Sequence, residues 1–149
     1  MFKTLIKFYL ITSLFYSCST YSDEEILNFD KEINEHIQEK SLDFEKSGSG
    51  LYYKIIHEGK GDYIQISDSV QFTYEGSILN GEMFDKQTKP ITFKVQDLIQ
   101  GWKEIILISK PGTEVELIVP PHLGYGNYDL DDIPPNSTLF FKMKIISIL

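Results

Sequence analysis

An α+β domain, in which an antiparallel sheet of about five strands covers one main helix, is predicted by three observations on the sequence. Beyond residue 50 apolar residues recur mainly with period two, the side-chain period of a strand, in segments rich in Val, Ile, Thr, Tyr and Phe. One stretch among them, 95–108, instead gives Leu98, Ile99, Trp102, Ile105 and Ile106 the spacing of a short helix. The 149 residues, 42% hydrophobic and 13% aromatic, suffice for one core and are too few for two full domains.

The elements follow in chain order. Residues 1–18 carry Lys3 and Lys7, no acid, and a mostly apolar run over 8–16, which is the layout of a signal peptide. The run is shorter than the roughly 20 residues that span a bilayer. Cys18 ends it and is the only cysteine, so no intramolecular disulfide can form. A Cys in this place resembles a bacterial lipoprotein signal, and acylation of Cys18 is expected to tether the chain to a membrane. Residues 19–47 are expected to form an N-terminal helix and linker. Ser22 with Glu25 reads as a capping box, and Ile26, Phe29, Ile33 and Ile37 form one apolar stripe after it. That stripe must be covered, either by the domain itself or by a partner. Ser47-Gly48-Ser49-Gly50 reads as a flexible joint, which puts the main domain at 48–149. Strands are predicted over 51–57, 69–79, 91–94, 114–119 and 138–149, with Asn80-Gly81 as a hairpin turn and Pro111-Gly112 ending the helix of 95–108.

Composition and motifs exclude several functions. All 14 basic residues are Lys against 22 acids, a formal charge of −8, so the cationic surface that nucleic acid requires is missing. His57 and His122 have no Cys partners, His36 has no second ligand at metal spacing, and HExxH, GxGxxG, GxxxxGK and GxSxG are all missing. Neither a metal nor a cofactor is expected. What remains is chemistry performed by shape and environment. Tyr74 in a strand, Phe84 after the hairpin, Trp102 in the helix, Tyr125 in a long loop and Phe141 in the last strand can converge in such a fold. With Leu98, Ile99 and Ile133 they would line an apolar hollow, and Asp85 would place a carboxylate at its rim.

The sequence here resembles a known family. Gly50-Leu51-Tyr52-Tyr53, Gly59-Lys60-Gly61, Asn80-Gly81-Glu82-Met83-Phe84-Asp85, Leu98-Ile99-Gln100-Gly101-Trp102, Lys110-Pro111-Gly112 and Ile133-Pro134-Pro135-Asn136-Ser137-Thr138-Leu139 look like successive motifs of the FKBP-type peptidyl-prolyl isomerases, as do 70–76, Pro90-Ile91-Thr92-Phe93 and 120–126 between them. The match runs over about 48–149, and the charged helix before Gly-Leu-Tyr-Tyr resembles lipoprotein members from bacteria of the Bacteroidetes type. The resemblance implies an FKBP-like fold, a curved sheet wrapped around one short helix, and rotamase activity on Xaa-Pro bonds. It implies that Tyr74, Ile91, Leu98, Ile99, Trp102, Ile133 and Phe141 bind substrate, and that Phe84, Asp85 and Tyr125 carry catalysis. In the family the amide at the position of Ile99 and the phenol at that of Tyr125 donate to substrate carbonyls. Proline-containing proteins are then the partners, with macrolides as inhibitors, and an extracytoplasmic, membrane-anchored location in a Gram-negative-type bacterium is expected. No Arg follows Asp85 to orient its carboxylate, and the acidic loop 127–132 is expected to overhang the site and to favour basic or extended clients. A membrane-tethered chaperone or assembly factor that binds proline segments with little turnover is the alternative.

Overall fold

The computed structural model describes residues 21–79 and 81–149, so the predicted signal peptide, Cys18 and Asn80 lie outside the described residues. The α+β expectation is borne out. Two helices, α1 (Asp23–Glu39) and α2 (Gln100–Leu107), accompany strands β1 (Glu45–Lys46), β2 (Tyr52–His57), β3 (Ser69–Ile78), β4 (Met83–Lys94), β5 (Glu114–Val119) and β6 (Leu139–Ile148). The strands make one antiparallel sheet in the order β1-β2-β5-β6-β3-β4.

Four local expectations need correction. The sheet has six strands, because β1 pairs with β2 at Lys46 opposite Tyr52. Ser47-Gly48-Ser49-Gly50 is therefore a hairpin loop rather than an open joint: the Ser47 N–H donates to the Leu51 carbonyl at 2.8 Å, and the Leu51 N–H to Ser47 Oγ at 3.2 Å. The strand expected at 91–94 begins at Met83 instead. Its register on β3 passes from Ile91 opposite Phe72 to Gln87 opposite Tyr74, so 88–90 bulge out of the ladder. Pro90 lacks an N–H and fits there, at a bulge in an edge strand. The helix stretch is split into a 3₁₀ turn, Val95–Asp97, and α2, which starts after Ile99.

Alternation along the central strands gives the sheet two apolar faces. Leu117 and Phe141 belong to the core under α2, with Phe72, Trp102, Ile105 and Ile106, whereas their neighbours Ile118 and Phe140 belong to a second cluster with Ile33, Ile37, Tyr52 and Leu79. Adjacent strand residues point to opposite faces. The stripe of α1 thus covers the face that α2 leaves bare, and Ile33 is fully buried. The predicted capping box at Ser22 and Glu25 starts this helix.

A polar clamp fixes α1 in place. Asp30 Oδ1 accepts from the Tyr52 hydroxyl at 2.6 Å and pairs with Lys46 Nζ at 2.5 Å, and Asn34 Nδ2 donates to the Tyr52 oxygen at 2.8 Å. Burial raises the Asp30 pKa, but the hydrogen bonds from Lys46 and Tyr52 and the Lys46 charge outweigh it and hold the carboxyl below its usual range. A carboxylate whose folded pKa is depressed adds stability that is present above its unfolded pKa and lost as pH falls through the folded value. Asp30→Asn is therefore expected to cost roughly 1.5–3 kcal/mol at pH 7, the range for hydrogen bonds to charged groups. In urea titrations at several pH values the difference from wild type should shrink toward zero on the acid side of the ordinary carboxylate range. A difference independent of pH would show that the charge contributes nothing.

Candidate functional site

Five rings from four elements meet between the sheet and α2. Trp102, in the first turn of α2, is approached edge-on by Tyr74 of β3 at 4.9 Å, by Phe141 of β6 at 5.0 Å and by Phe72 of β3 at 5.2 Å between centroids. Phe84 of β4 meets Phe141 edge-on at 5.8 Å. This is the geometry in which the positive edge of one ring faces the negative face of another, so the walls are fixed by electrostatics as well as packing. Phe141 is 1% and Trp102 6% exposed, and neither can rotate without disturbing the core.

The rings enclose a hollow of about 210 Å³ that opens to solvent. Eight of the ten residues expected at the site line it: Tyr74, Phe84, Asp85, Leu98, Ile99, Trp102, Tyr125 and Phe141. Two do not. Ile133 is buried in the core that backs the hollow, and Ile91 lies half-buried opposite Phe72. The structure adds Phe93 and Asp97 to the lining. Phe93 stacks on Phe72 at 6.0 Å and lies two positions after Ile91, so strand alternation placed it on the same face. Asp97 ends the turn before Leu98, where sequence pattern gave no signal.

The carboxylate at the rim has an unexpected anchor. Asp85 Oδ2 accepts a hydrogen bond from the Tyr74 hydroxyl, and Asp85 Oδ1 accepts from the Lys86 N–H at 2.7 Å. A tyrosine from the neighbouring strand does the orienting for which no Arg was available. Burial, the bond to Asp85 and its negative charge all raise the Tyr74 pKa, and burial followed by the Asp85 charge raises that of Tyr125. Both phenols are therefore protonated at neutral pH. The loop 127–132 takes a different course from the one expected: Tyr125 reaches the hollow, but Asn127 and Tyr128 line another cavity, and Leu130 and Ile133 close a tight turn by mutual backbone hydrogen bonds.

A larger trough of about 490 Å³ lies across the sheet from α2, along Thr73, Glu75, Glu114, Glu116, Lys142 and Lys144. Four of its charges are paired with each other, Glu114 with Lys144 at 2.6 Å and Glu116 with Lys142 at 3.7 Å, while Glu75 pairs with Lys86. It is more open than the aromatic hollow and is lined mostly by polar and charged side chains, and the smaller aromatic hollow is the better binding site. Among the described residues no group of three or more His, Cys, Asp or Glu could hold a metal. No helix among them is long and apolar enough to cross a membrane.

Comparison with known proteins gives the site its context. A probable FKBP-type peptidyl-prolyl cis-trans isomerase of Haemophilus influenzae is 37% identical over 113 residues, covering 73% of this chain and 47% of that protein. The peptidyl-prolyl cis-trans isomerase Mip of Coxiella burnetii is 39% identical over 104 residues, covering 67% and 45%. The chain spans about half the length of the curated relatives it matches. The crystal structure of FkpA from Escherichia coli superposes with a TM-score of 0.73 at 29% identity, covering 84% of this chain and 61% of that one. The sequence profile of the FKBP-type peptidyl-prolyl cis-trans isomerases matches residues 61–146, from the segment before β3 into β6, and so takes in every wall of the aromatic hollow. That match extends over more than half of the chain, which therefore belongs to the FKBP-type peptidyl-prolyl cis-trans isomerase family.

Proposed function

We propose that this chain catalyses cis–trans rotation about Xaa-Pro bonds of protein substrates in the hollow floored by Trp102. The observation that carries the proposal is the convergence of Tyr74, Phe84, Trp102 and Phe141 on one small cavity with Asp85 held at its rim by Tyr74. Rotation is opposed by about 18–20 kcal/mol because amide resonance favours the planar form. Water stabilises that charge-separated planar form. Apolar rings around the proline and the preceding carbonyl withdraw this support from the planar state, while the twisted state loses little. At about 210 Å³ the hollow suits one proline ring and its peptide group, well below the roughly 300–1,000 Å³ of drug-sized pockets.

Polar groups at the rim hold the twist. Ile99 caps α2 with an extended backbone, and its N–H, together with the protonated Tyr125 hydroxyl, can donate to substrate carbonyls. The Asp85 carboxylate, held at the rim by Tyr74, would stand beside the rotating carbonyl as a fixed negative charge. A differential stabilisation of about 4 kcal/mol accounts for a thousandfold acceleration, with no covalent intermediate. Exchange NMR on a proline tetrapeptide tests this: Phe84→Ala and Asp85→Leu should each lower the catalysed rate at least tenfold. Unchanged rates in both variants would overturn the assignment.

We also infer an extracytoplasmic role on a lipid anchor at Cys18. The support is the sequence of 1–18, with its two lysines, apolar run and single cysteine. Cys18→Ser should move the protein from the membrane fraction to the soluble fraction in the native host, and retention in the membrane would refute the anchor.

A further inference from the structure

Tyr125 is a wall of two hollows. Besides the aromatic pocket it lines a second cavity of about 380 Å³, bounded by Tyr21 and Ile26 at the start of α1, by Pro121 and Gly124, and by Tyr128. None of the residues lining it is an acid or a lysine. This contrasts with the acids around it in the sequence, Asp23, Glu24 and Glu25 on one side and Asp129, Asp131 and Asp132 on the other.

The cavity is built, because hydrogen bonds hold its two walls together. Tyr21 is 7% exposed, its ring meets Phe29 edge-on at 5.3 Å, and its hydroxyl donates to Asn136 Oδ1 at 2.7 Å. The Asn136 N–H donates to the Gly126 carbonyl at 2.8 Å, and the Gly126 N–H to the Pro121 carbonyl at 3.0 Å. The chain that carries Tyr125 is thus closed on itself between Pro121 and Gly126 and tied through Asn136 to Tyr21, just before α1.

We propose that this second cavity is a substrate subsite, which takes a large aliphatic or aromatic side chain of the same polypeptide whose proline occupies the first pocket. The proposal rests on the prolyl reading and deepens it. The occupant follows from continuity: a chain leaving the first pocket past Tyr125 meets this cavity next. The two cavities share Tyr125 as a wall and an extended chain covers about 3.3–3.6 Å per residue, so an apolar residue is placed roughly two to four positions from the proline in the test. Its lining is mainly apolar and aromatic, with His122 and Asn127 as polar members and no acid or lysine, so it favours a side chain such as Phe or Leu over a charged one, which would lose hydration there. The consequence is a preference for unfolded protein segments over short peptides.

The test uses the full chain with three substrates: a blocked proline tetrapeptide, and two twelve-residue peptides with the same proline core and either Phe or Ser at the two-to-four positions on each side. The wild type should favour the Phe peptide over the Ser peptide about tenfold in kcat/KM, through KM, and Ile26→Glu should reduce that ratio to within twofold of unity. Selective shifts of the Ile26 δ1 methyl in wild type with the Phe peptide, and not with the Ser peptide, are expected as well and do not depend on the variant folding. Normal turnover of the tetrapeptide with equal use of the two long peptides would overturn the subsite alone. A Phe preference that survives in folded Ile26→Glu, or an Ile26 methyl that ignores both peptides, would also overturn it. No acceleration of any of the three substrates would instead remove the prolyl reading, and the subsite with it.

Discussion

Gly76→Ala is expected to lower prolyl isomerisation roughly a hundredfold while leaving the domain folded. Gly76 lies in β3 between Phe141 of β6 and Asp85 of β4 in the register of the sheet. A Cβ there would stand 2.8 Å from both Phe141 Cε1 and Phe84 Cζ, far inside van der Waals contact. Phe141 is buried against Trp102 and cannot yield, so the half-buried Phe84, which borders the hollow, is the ring expected to shift. A single methyl group thus pushes a wall of the pocket into the space a proline would occupy. Overpacking of this kind costs about 1–3 kcal/mol in stability. A hundredfold loss corresponds to about 2.7 kcal/mol of the barrier, most of what the site is proposed to supply. Gly48→Ala is the control, since nothing lies within 4 Å of its added Cβ. Exchange NMR on a proline tetrapeptide, with a urea melt of each variant, separates the outcomes. Wild-type activity in folded Gly76→Ala would mean that Phe84 does not wall the reacting group.

How far the sequence revealed this arrangement depended on how local each signal was. The helix α1 was legible because its cap is made by Ser22 and Glu25, three residues apart, and its stripe repeats within the helix. The strands β2, β3, β5 and β6 were legible from alternation, since each has residues committed to one or two packed faces. The first half of β4 was not, because Lys86, Gln87, Thr88 and Lys89 are polar on an edge strand, where pairing with β3 rather than burial decides the conformation. β1 is two exposed residues long and exists only through its pairing with β2.

The site shows the same division. The family motifs named eight residues that line the hollow, but Ile91 and Ile133 lie in the packing around it, and Phe93 and Asp97 were missed. Side-chain direction at a bulged strand or a turn depends on the register of distant partners, which no short motif records. The orientation of Asp85 is the clearest instance. Its neighbours in sequence offered no arginine, and the anchor is Tyr74, eleven positions away but one strand over. The motif named the carboxylate, and only the pairing of β3 with β4 shows what holds it still.

Ile33→Asp should separate the two faces of the sheet. Ile33 is fully buried between α1 and the outer face, in the cluster that includes Tyr52, Leu79, Ile118 and Phe140. A carboxylate there has no partner in the cluster and cannot stay ionised without a cost of several kcal/mol, so α1 is expected to leave the sheet. The bared face should bind a hydrophobic dye and draw copies of the protein together, because a patch of this kind rarely stays exposed on a monomer. The aromatic hollow lies across the sheet, under α2, and draws none of its lining residues from α1. Isomerisation of a tetrapeptide should therefore stay within about threefold of wild type at temperatures where the sheet remains folded, whereas the urea midpoint falls sharply. Ile33→Ala provides the milder series, with an expected loss of about 2–5 kcal/mol. Tetrapeptide turnover that disappears while circular dichroism shows an intact sheet would mean that α1 is part of the reacting site. An unchanged urea midpoint in both variants would mean that the second cluster adds nothing to stability. The expected result, a destabilised and sticky protein that still turns over short peptides, would assign α1 to stability and to the neighbouring cavity rather than to the chemical step.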